Sequence, residues 1–261
     1  MIIAHLIYDT SSLLACSLTC CSWYIATVPH LHHTLVATPR GRYSTGSEWP
    51  KPLLHMHKLG LLPLVKKFQV HEEAFYHKVD GFSPRLFNCY ILRRFTALTN
   101  FQELGIDDLN IPKFLPRIRR YFGHFLPTLR SLALRSPRGS HRQIIYFIGL
   151  FQHLEDLKLL SERIDSQGEP AGEPMLTPLS ALPLRGRLAM TRFTRVGFLE
   201  DMIDLLGGIR FRHMDICNVN GMPLLLDACA KTLETLRLYP TDPRGRGVSL
   251  GGVRAPANAV L

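Results

Sequence analysis

The feature that most constrains the fold of this chain is a short apolar motif that recurs through most of its length. In each copy, two apolar residues flank one other residue, and a further apolar residue usually stands three positions earlier. Five copies are clear and two weaker ones fill the gaps between them. In chain order the motifs are Phe68-Gln-Val70, Leu104-Gly-Ile106, Leu132-Ala-Leu134, Leu157-Lys-Leu159, the weaker Leu188-Ala-Met190 and Met214-Asp-Ile216, and Leu236-Arg-Leu238.

The spacing of these motifs is close to that of a known repeat architecture. From Leu104 onward, successive copies begin 28, 25, 31, 26 and 22 residues apart. Leucine-rich repeats run about 20–29 residues around such a core, and each repeat supplies one short strand followed by a returning segment. We therefore expect an α/β fold, a leucine-rich-repeat solenoid whose curved parallel sheet has helical or loop returns. An ordinary leucine-rich α/β protein is the alternative.

The segments between the motifs, and those around the array, complete the predicted organisation. Amphipathic patterns predict helices in the returns at 111–125, 143–151, 200–206 and 223–230. Residues 38–52 contain Pro, Gly and Ser without periodicity, which predicts a linker ahead of irregular repeats over 53–240. Residues 241–261 are rich in Gly, Pro and Arg, so we expect a disordered tail and no capping repeat.

Residues 1–37 are predicted to form a short all-helical motif. Ile3 and Leu6 recur at helical spacing, the run Asp9-Thr10-Ser11-Ser12 supplies N-cap residues, and one helix is expected from Ser12 until the chain leaves it within 27–35. The segment is apolar, but no Lys or Arg precedes its apolar run, and charged or polar residues interrupt it. We therefore predict neither a signal peptide nor a membrane span.

The cysteines indicate the cellular compartment of the protein, and the net charge indicates the charge of its partners. The six cysteines lack the regular spacing of a secreted disulfide scaffold, so a cytoplasmic or nuclear location is expected. The formal charge of +10 favours an acidic partner.

Beyond these patterns, the sequence resembles a known family. The run LLACSLTCCSW at 13–23 is similar to the second half of an F-box, in which a Leu-rich helix leads to a Cys and then, three residues later, a Trp. Cys20 and Trp23 match that ending, and Ile3 and Leu6 resemble hydrophobic positions of the preceding helix. The runs LPLRGRLAMTRF at 182–193 and LLLDACAKTLETLRLYPTDPRG at 224–245 resemble recurring phrases of the fungal F-box/leucine-rich-repeat family.

The resemblance implies a non-enzymatic function. Members of the family are substrate receptors of cullin–RING ubiquitin ligases, in which the F-box binds a Skp-type adaptor and the repeats bind a target protein, here unknown. An F-box normally opens with a Leu-Pro and a Glu, and this chain begins after that point, so an N-terminally truncated F-box is expected. A stand-alone repeat scaffold that no longer binds the ligase is the alternative. The residues implied in adaptor binding are Ile3, Leu6, Leu14, Leu18, Cys20 and Trp23.

No catalytic, cofactor or metal site is predicted. The chain contains no zinc-protease motif and no P-loop lysine. Cys16 and Cys20 have acceptable zinc spacing, but the nearby histidines at 30, 32, 33, 55 and 57 do not, and helix packing accounts for the cysteines.

One segment is uniformly basic. No Asp or Glu occurs between Leu109 and Leu154. Either this segment is a binding patch for an acidic protein, or its arginines cover a solvated helix face. Nucleic acid is a less favoured partner because aromatic residues do not interleave with the cations. The basic residues are Lys113, Arg117, Arg119, Arg120, Arg130, Arg135, Arg138 and Arg142.

Overall fold

The computed structural model describes a chain with an α/β fold divided into two compact units. The described residues are 5–6, 9–37, 51–71, 98–107, 111–112, 123, 125–160, 183–193 and 196–239. The units comprise residues 1–103 and 104–261. In each of the five strand pairs with a described register the two strands are parallel.

The first unit begins with two helices where one was predicted. Helix α1 spans Thr10–Ser17 and α2 spans Cys21–Leu31. Asp9, one of the four candidate N-cap residues, is the N-cap of α1 and accepts hydrogen bonds from two backbone N–H groups. The hydroxyls of Ser17 and Thr19 donate to carbonyl oxygens of α1, and Cys20 is extended, so the predicted continuous helix is interrupted.

The rest of this unit corrects the prediction that residues 1–37 are all helical. Strand β1, Thr34–Ala37, pairs in parallel with β2, Lys67–His71. Leu35 of β1 is buried opposite Phe68 of β2. Burial of this leucine favours pairing of the short segment with the sheet. Between the two strands, α3 spans Lys51–Lys58 and a 3₁₀ turn spans Leu62–Leu64. The last two residues of the predicted linker thus belong to α3, and residues 38–50 lie outside the described residues.

In the second unit, strands and helices alternate as the repeat pattern predicts. Strand β3 covers Glu103–Asp107, beginning at the unit boundary, and the later strands lie side by side in chain order. All seven predicted motifs of the chain lie in strands. The other strands and helices are β4 Ser131–Arg135, α4 His141–Gly149, β5 Asp156–Leu160, β6 Leu184–Phe193, α5 Val196–Leu205, β7 Ile209–Val219, α6 Met222–Cys229 and β8 Thr235–Tyr239.

The register of the second unit stacks the motifs on one another. Leu132, Leu157, Leu188, Met214 and Leu236 occupy consecutive matching positions across β4 to β8. The first four are no more than 1% exposed, and the alternate residues of each strand face the other way. The stacked apolar side chains therefore form a continuous core that no single repeat could bury.

Helices cover this core, and three of the four predicted return helices are confirmed. The capping box of Ser140 and Gln143 starts α4, whose Phe147 is fully buried. In α5 and α6, Phe198 and Leu225 are fully buried too. The fourth predicted helix, 111–125, and the tail at 241–261 fall mostly or wholly outside the described residues.

Candidate functional site

Two surfaces stand out, one in each unit, and the first is an apolar surface on the α1–α2 hairpin. We call it the hairpin surface and define it by Leu14, Leu18, Tyr24 and Ile25. Leu18 is 80% exposed and Ile25 71%, and the other two are about half exposed. Exposure of large apolar side chains to water costs free energy, which their burial against a partner would recover.

The two helices that carry the hairpin surface also bury side chains of their own. Leu13 is 1% exposed, and the buried hydroxyl of Thr27 donates to the carbonyl of Trp23 at 2.8 Å. The side chain of Leu13 therefore points toward the interior, whereas that of the next residue, Leu14, points toward solvent. The hairpin therefore combines buried side chains with the exposed apolar side chains of the hairpin surface.

The structure places five of the six predicted adaptor-binding residues. Leu14, Leu18 and Cys20 are exposed, whereas Leu6 and Trp23 are partly buried. Ile3 lies outside the described residues. The sequence resemblance did not include Tyr24 and Ile25. The feature of the sequence that could have indicated them is the pair of large apolar residues directly after Trp23.

The second surface lies on the second unit and consists of the side chains that alternate with the stacked core. We call this the open face, made by the outward residues of β4 to β8 and the residues that directly precede these strands. Its cations outnumber its carboxylates. The outward cations of these strands are Arg135, Lys158, Arg185, Arg187, Arg210, Arg212 and Arg237, against the carboxylates Asp156 and Asp215.

Ion pairs organise the centre of the open face. Arg187 donates to Asp215 through Nε at 2.8 Å, and Arg237 lies 3.9 Å from the other oxygen of the same carboxylate. The hydrogen bond to Asp215 is the main reason that the pKa of Arg187 is raised. One carboxylate thus links side chains from three adjacent strands, β6, β7 and β8.

A second carboxylate has a similar position on β5. Asp156 accepts a hydrogen bond from the Ser131 hydroxyl at 3.2 Å and lies 2.9 Å from Lys158. At the amino ends of the strands, Arg130 pairs with Glu155 at 3.1 Å. These contacts restrain the side chains that make them in the absence of a partner.

The predicted basic patch is only partly described, and its described residues lie on several different segments. Arg130 precedes β4 and Arg135 ends it, so about 17 Å of strand separates them. Arg138 lies in the following turn, and Arg142 is in the first turn of α4. Lys113, Arg117, Arg119 and Arg120 lie outside the described residues.

Sequence reasoning missed the arginines that the sheet does bring together. Arg185, Arg187, Arg210, Arg212 and Arg237 come from three separate repeats, and only the strand register makes them neighbours. The available signal was the alternation of Arg with core residues in LRGRLAM and IRFRHMD, which a search for continuous basic runs overlooks.

A cavity of about 240 Å³ adjoins the open face at the amino ends of β5 and β6. Phe151, Leu154, Leu184 and Leu206 supply much of its apolar lining, and Arg185 lies at its edge among the lining residues. Over the described ranges, His, Cys, Asp and Glu side chains nowhere form a group of three suited to a metal ion.

Comparison of the chain with protein-family models, with curated proteins and with solved structures found no match. None of the helices in the described segments has the length and apolar character to cross a membrane.

Proposed function

We propose that this protein is a non-enzymatic substrate receptor of a cullin–RING ubiquitin ligase, with an F-box-like hairpin and a leucine-rich-repeat array. The hairpin surface binds a Skp-type adaptor, and the open face binds a target protein. Ubiquitin transfer takes place on other subunits. The expected setting is the cytoplasm or the nucleus.

The observation that carries this proposal is the exposure of Leu14 and Leu18. The F-box resemblance selects these two leucines as adaptor anchors from sequence alone, and both are exposed on a hairpin whose neighbouring Leu13 is buried. Two exposed leucines one helical turn apart suit a partner interface, because interface energy concentrates in a few apolar anchors. The parallel strands, with one motif each, support the repeat array.

The open face supports the choice of target. Its outward strand positions are rich in arginine, and its side chains are held by internal ion pairs. A pre-organised cationic surface attracts an acidic protein segment and loses little conformational freedom on binding. Nucleic acid is disfavoured because the described outward positions of the β4–β8 strands offer mainly Tyr239 as an aromatic stacking partner.

Co-purification tests the adaptor role. The full chain, co-expressed with a Skp-type adaptor, is expected to retain it through size-exclusion chromatography, and Leu18→Asp is expected to lose it. Leu59→Asp is the matched control, since Leu59 is also an exposed leucine, at 56%, but lies outside the hairpin. Failure of the unaltered chain to retain the adaptor at micromolar concentration would favour the stand-alone scaffold.

A further inference from the structure

Strand β6 extends beyond the strand beside it at the amino end. β5 begins at Asp156, which pairs with Arg187, whereas β6 begins at Leu184, which pairs with Ile209 of β7. Residues 184–186 of β6 therefore pair with β7 on one side only. Within the described ranges, no strand lies on their other side. An open strand edge of this kind can pair with the backbone of an added segment.

The chain that precedes β5 limits the length of this open edge. The carbonyl oxygen of Glu155 lies so close to Gly186 that an added Cβ atom would be 2.1 Å from it. Just before this point, the N–H of Leu154 donates to the carbonyl oxygen of Phe151 at 3.3 Å, so the chain makes a turn and does not continue along β6. The open edge thus consists of the first two residues of β6.

The cavity of about 240 Å³ lies at this open edge, because residues of the turn and the first residues of β6 both line it. Its apolar lining comes from Phe151, Leu154, Leu184 and Leu206, none of which is more than 8% exposed. Its volume exceeds the roughly 150 Å³ of a protein cavity that binds benzene. The carboxyl ends of α4 and α5 adjoin it, and their partial negative charge disfavours an anion inside.

Two arginines that line the cavity lie at its rim. Arg130 pairs with Glu155 at 3.1 Å, whereas the exposed Arg185 has neither an ion pair nor a hydrogen bond among the residues that the structure describes. A guanidinium group interacts favourably with the face of an aromatic ring and gains no comparable attraction from an aliphatic side chain. An uncharged aromatic ring therefore suits both the apolar lining and the rim.

We propose that the target protein adds a short extended segment to the open edge of β6 and inserts an aromatic side chain of that segment into the cavity. Side chains at matching positions of adjacent strands point to the same face of a sheet. A residue that pairs beside Leu184 therefore directs its side chain toward the cavity, as Leu184 does. This assignment rests on the proposed function in taking the partner to be the target.

NMR titration of the full chain with uncharged, blocked tripeptides tests the assignment without any adaptor. Acetyl-Ala-Trp-Ala-amide should bind about tenfold more tightly than acetyl-Ala-Leu-Ala-amide, because only the indole ring interacts with the guanidinium groups. It should also bind about tenfold more tightly than 3-methylindole, which has the ring but no backbone to pair with β6. N-methylation of the amides of the Trp peptide should remove this second advantage.

Two substitutions at the rim, each with a matched control, separate the ring from the edge. Gln152→Trp adds an indole ring at an exposed lining position and should weaken binding of the Trp peptide about tenfold, by occupying the cavity. His213→Trp adds the same ring at an exposed position outside the lining and should have no effect. Arg185→Leu should reduce the preference for the Trp peptide to about threefold, whereas Arg212→Leu should leave it unchanged.

Several results would overturn the assignment. Equal binding of the Trp and Leu peptides, or an equal loss in Gln152→Trp and His213→Trp, would show that the cavity does not select an aromatic ring. If 3-methylindole binds as tightly as the Trp peptide, or N-methylation has no effect, the cavity is a site for a free small molecule and the strand edge is not used. Because no adaptor is present, a negative result here leaves the adaptor role standing, and failed co-purification leaves the peptide result standing.

Discussion

At the scale of single residues, Asp215 is the side chain that links the charges of the open face. It is 13% exposed and contacts both Arg187 and Arg237. Replacing Asp215 with Ala leaves two arginines without a carboxylate, and we expect a loss of about 1–2 kcal/mol in the free energy of unfolding. Urea denaturation measures it. Glu234→Ala breaks the more exposed pair with Arg212 and should cost less than about 0.5 kcal/mol. Equal losses would mean that Asp215 has no special role.

Asp9 gives the hairpin a pH dependence. Hydrogen bonds from the Ser11 and Ser12 hydroxyls and backbone lower the pKa of its carboxyl from 3.8 to about 2. A depressed pKa means that the capping contribution is complete above pH 3.8 and is lost as the pH falls toward 2. Amide hydrogen exchange in α1 should therefore show about the same protection at pH 4.5 as at pH 6, after correction for intrinsic rates. In Asp9→Ala protection should already be lower at both pH values, and identical protection in the two proteins would contradict the cap.

At the scale of strands and helices, a glycine fixes the alignment of β6 with β5. Gly186 has a φ of +90°, and a Cβ atom there would lie 2.1 Å from the carbonyl oxygen of Glu155. The register of β6 with β7 also shifts between Gly186 and Arg187. Only glycine permits both the backbone conformation and the close approach.

Replacing Gly186 with Ala is accordingly expected to destabilise the second unit by at least about 3 kcal/mol. Gly208→Ala is the matched control, since Gly208 has a φ of +94° but nothing within 4 Å of the added Cβ. The control should show only the backbone strain, about 1 kcal/mol. Chemical denaturation compares the two, and a difference below about 1 kcal/mol would contradict the clash.

Most strands and helices could be predicted from the sequence, but strand β1 and the neighbours across the sheet could not. Local apolar patterns predicted all seven motif strands and helices α4, α5 and α6, because inward side chains at fixed spacing determine each of these elements. Strand β1 was missed, since Leu35 is the one buried residue among its first three and the pattern needs two. The neighbouring positions of Arg185 and Arg210 could not be predicted, because they depend on the register of β6 with β7.

At the scale of the whole molecule, the two proposed surfaces should be separable. Because Thr34–Ala37 pairs with β2, a deletion that removes only the hairpin must end before Thr34. Removing residues 1–32 is expected to abolish adaptor binding while the unfolding of the second unit changes little. If the hairpin merely caps the array, the same deletion should lower the melting temperature of the second unit by several degrees, as differential scanning calorimetry would detect.

The central claim is that the exposed leucines of the hairpin bind a Skp-type adaptor. Isothermal titration of the adaptor into the full chain measures this most directly, with Leu14→Ala/Leu18→Ala as the variant and Leu59→Ala as the exposed-leucine control. We predict a single site, a loss of at least about 2 kcal/mol, or thirtyfold in affinity, for the double variant, and no change for the control. No binding by the unaltered chain, or equal affinities for all three proteins, would contradict the account.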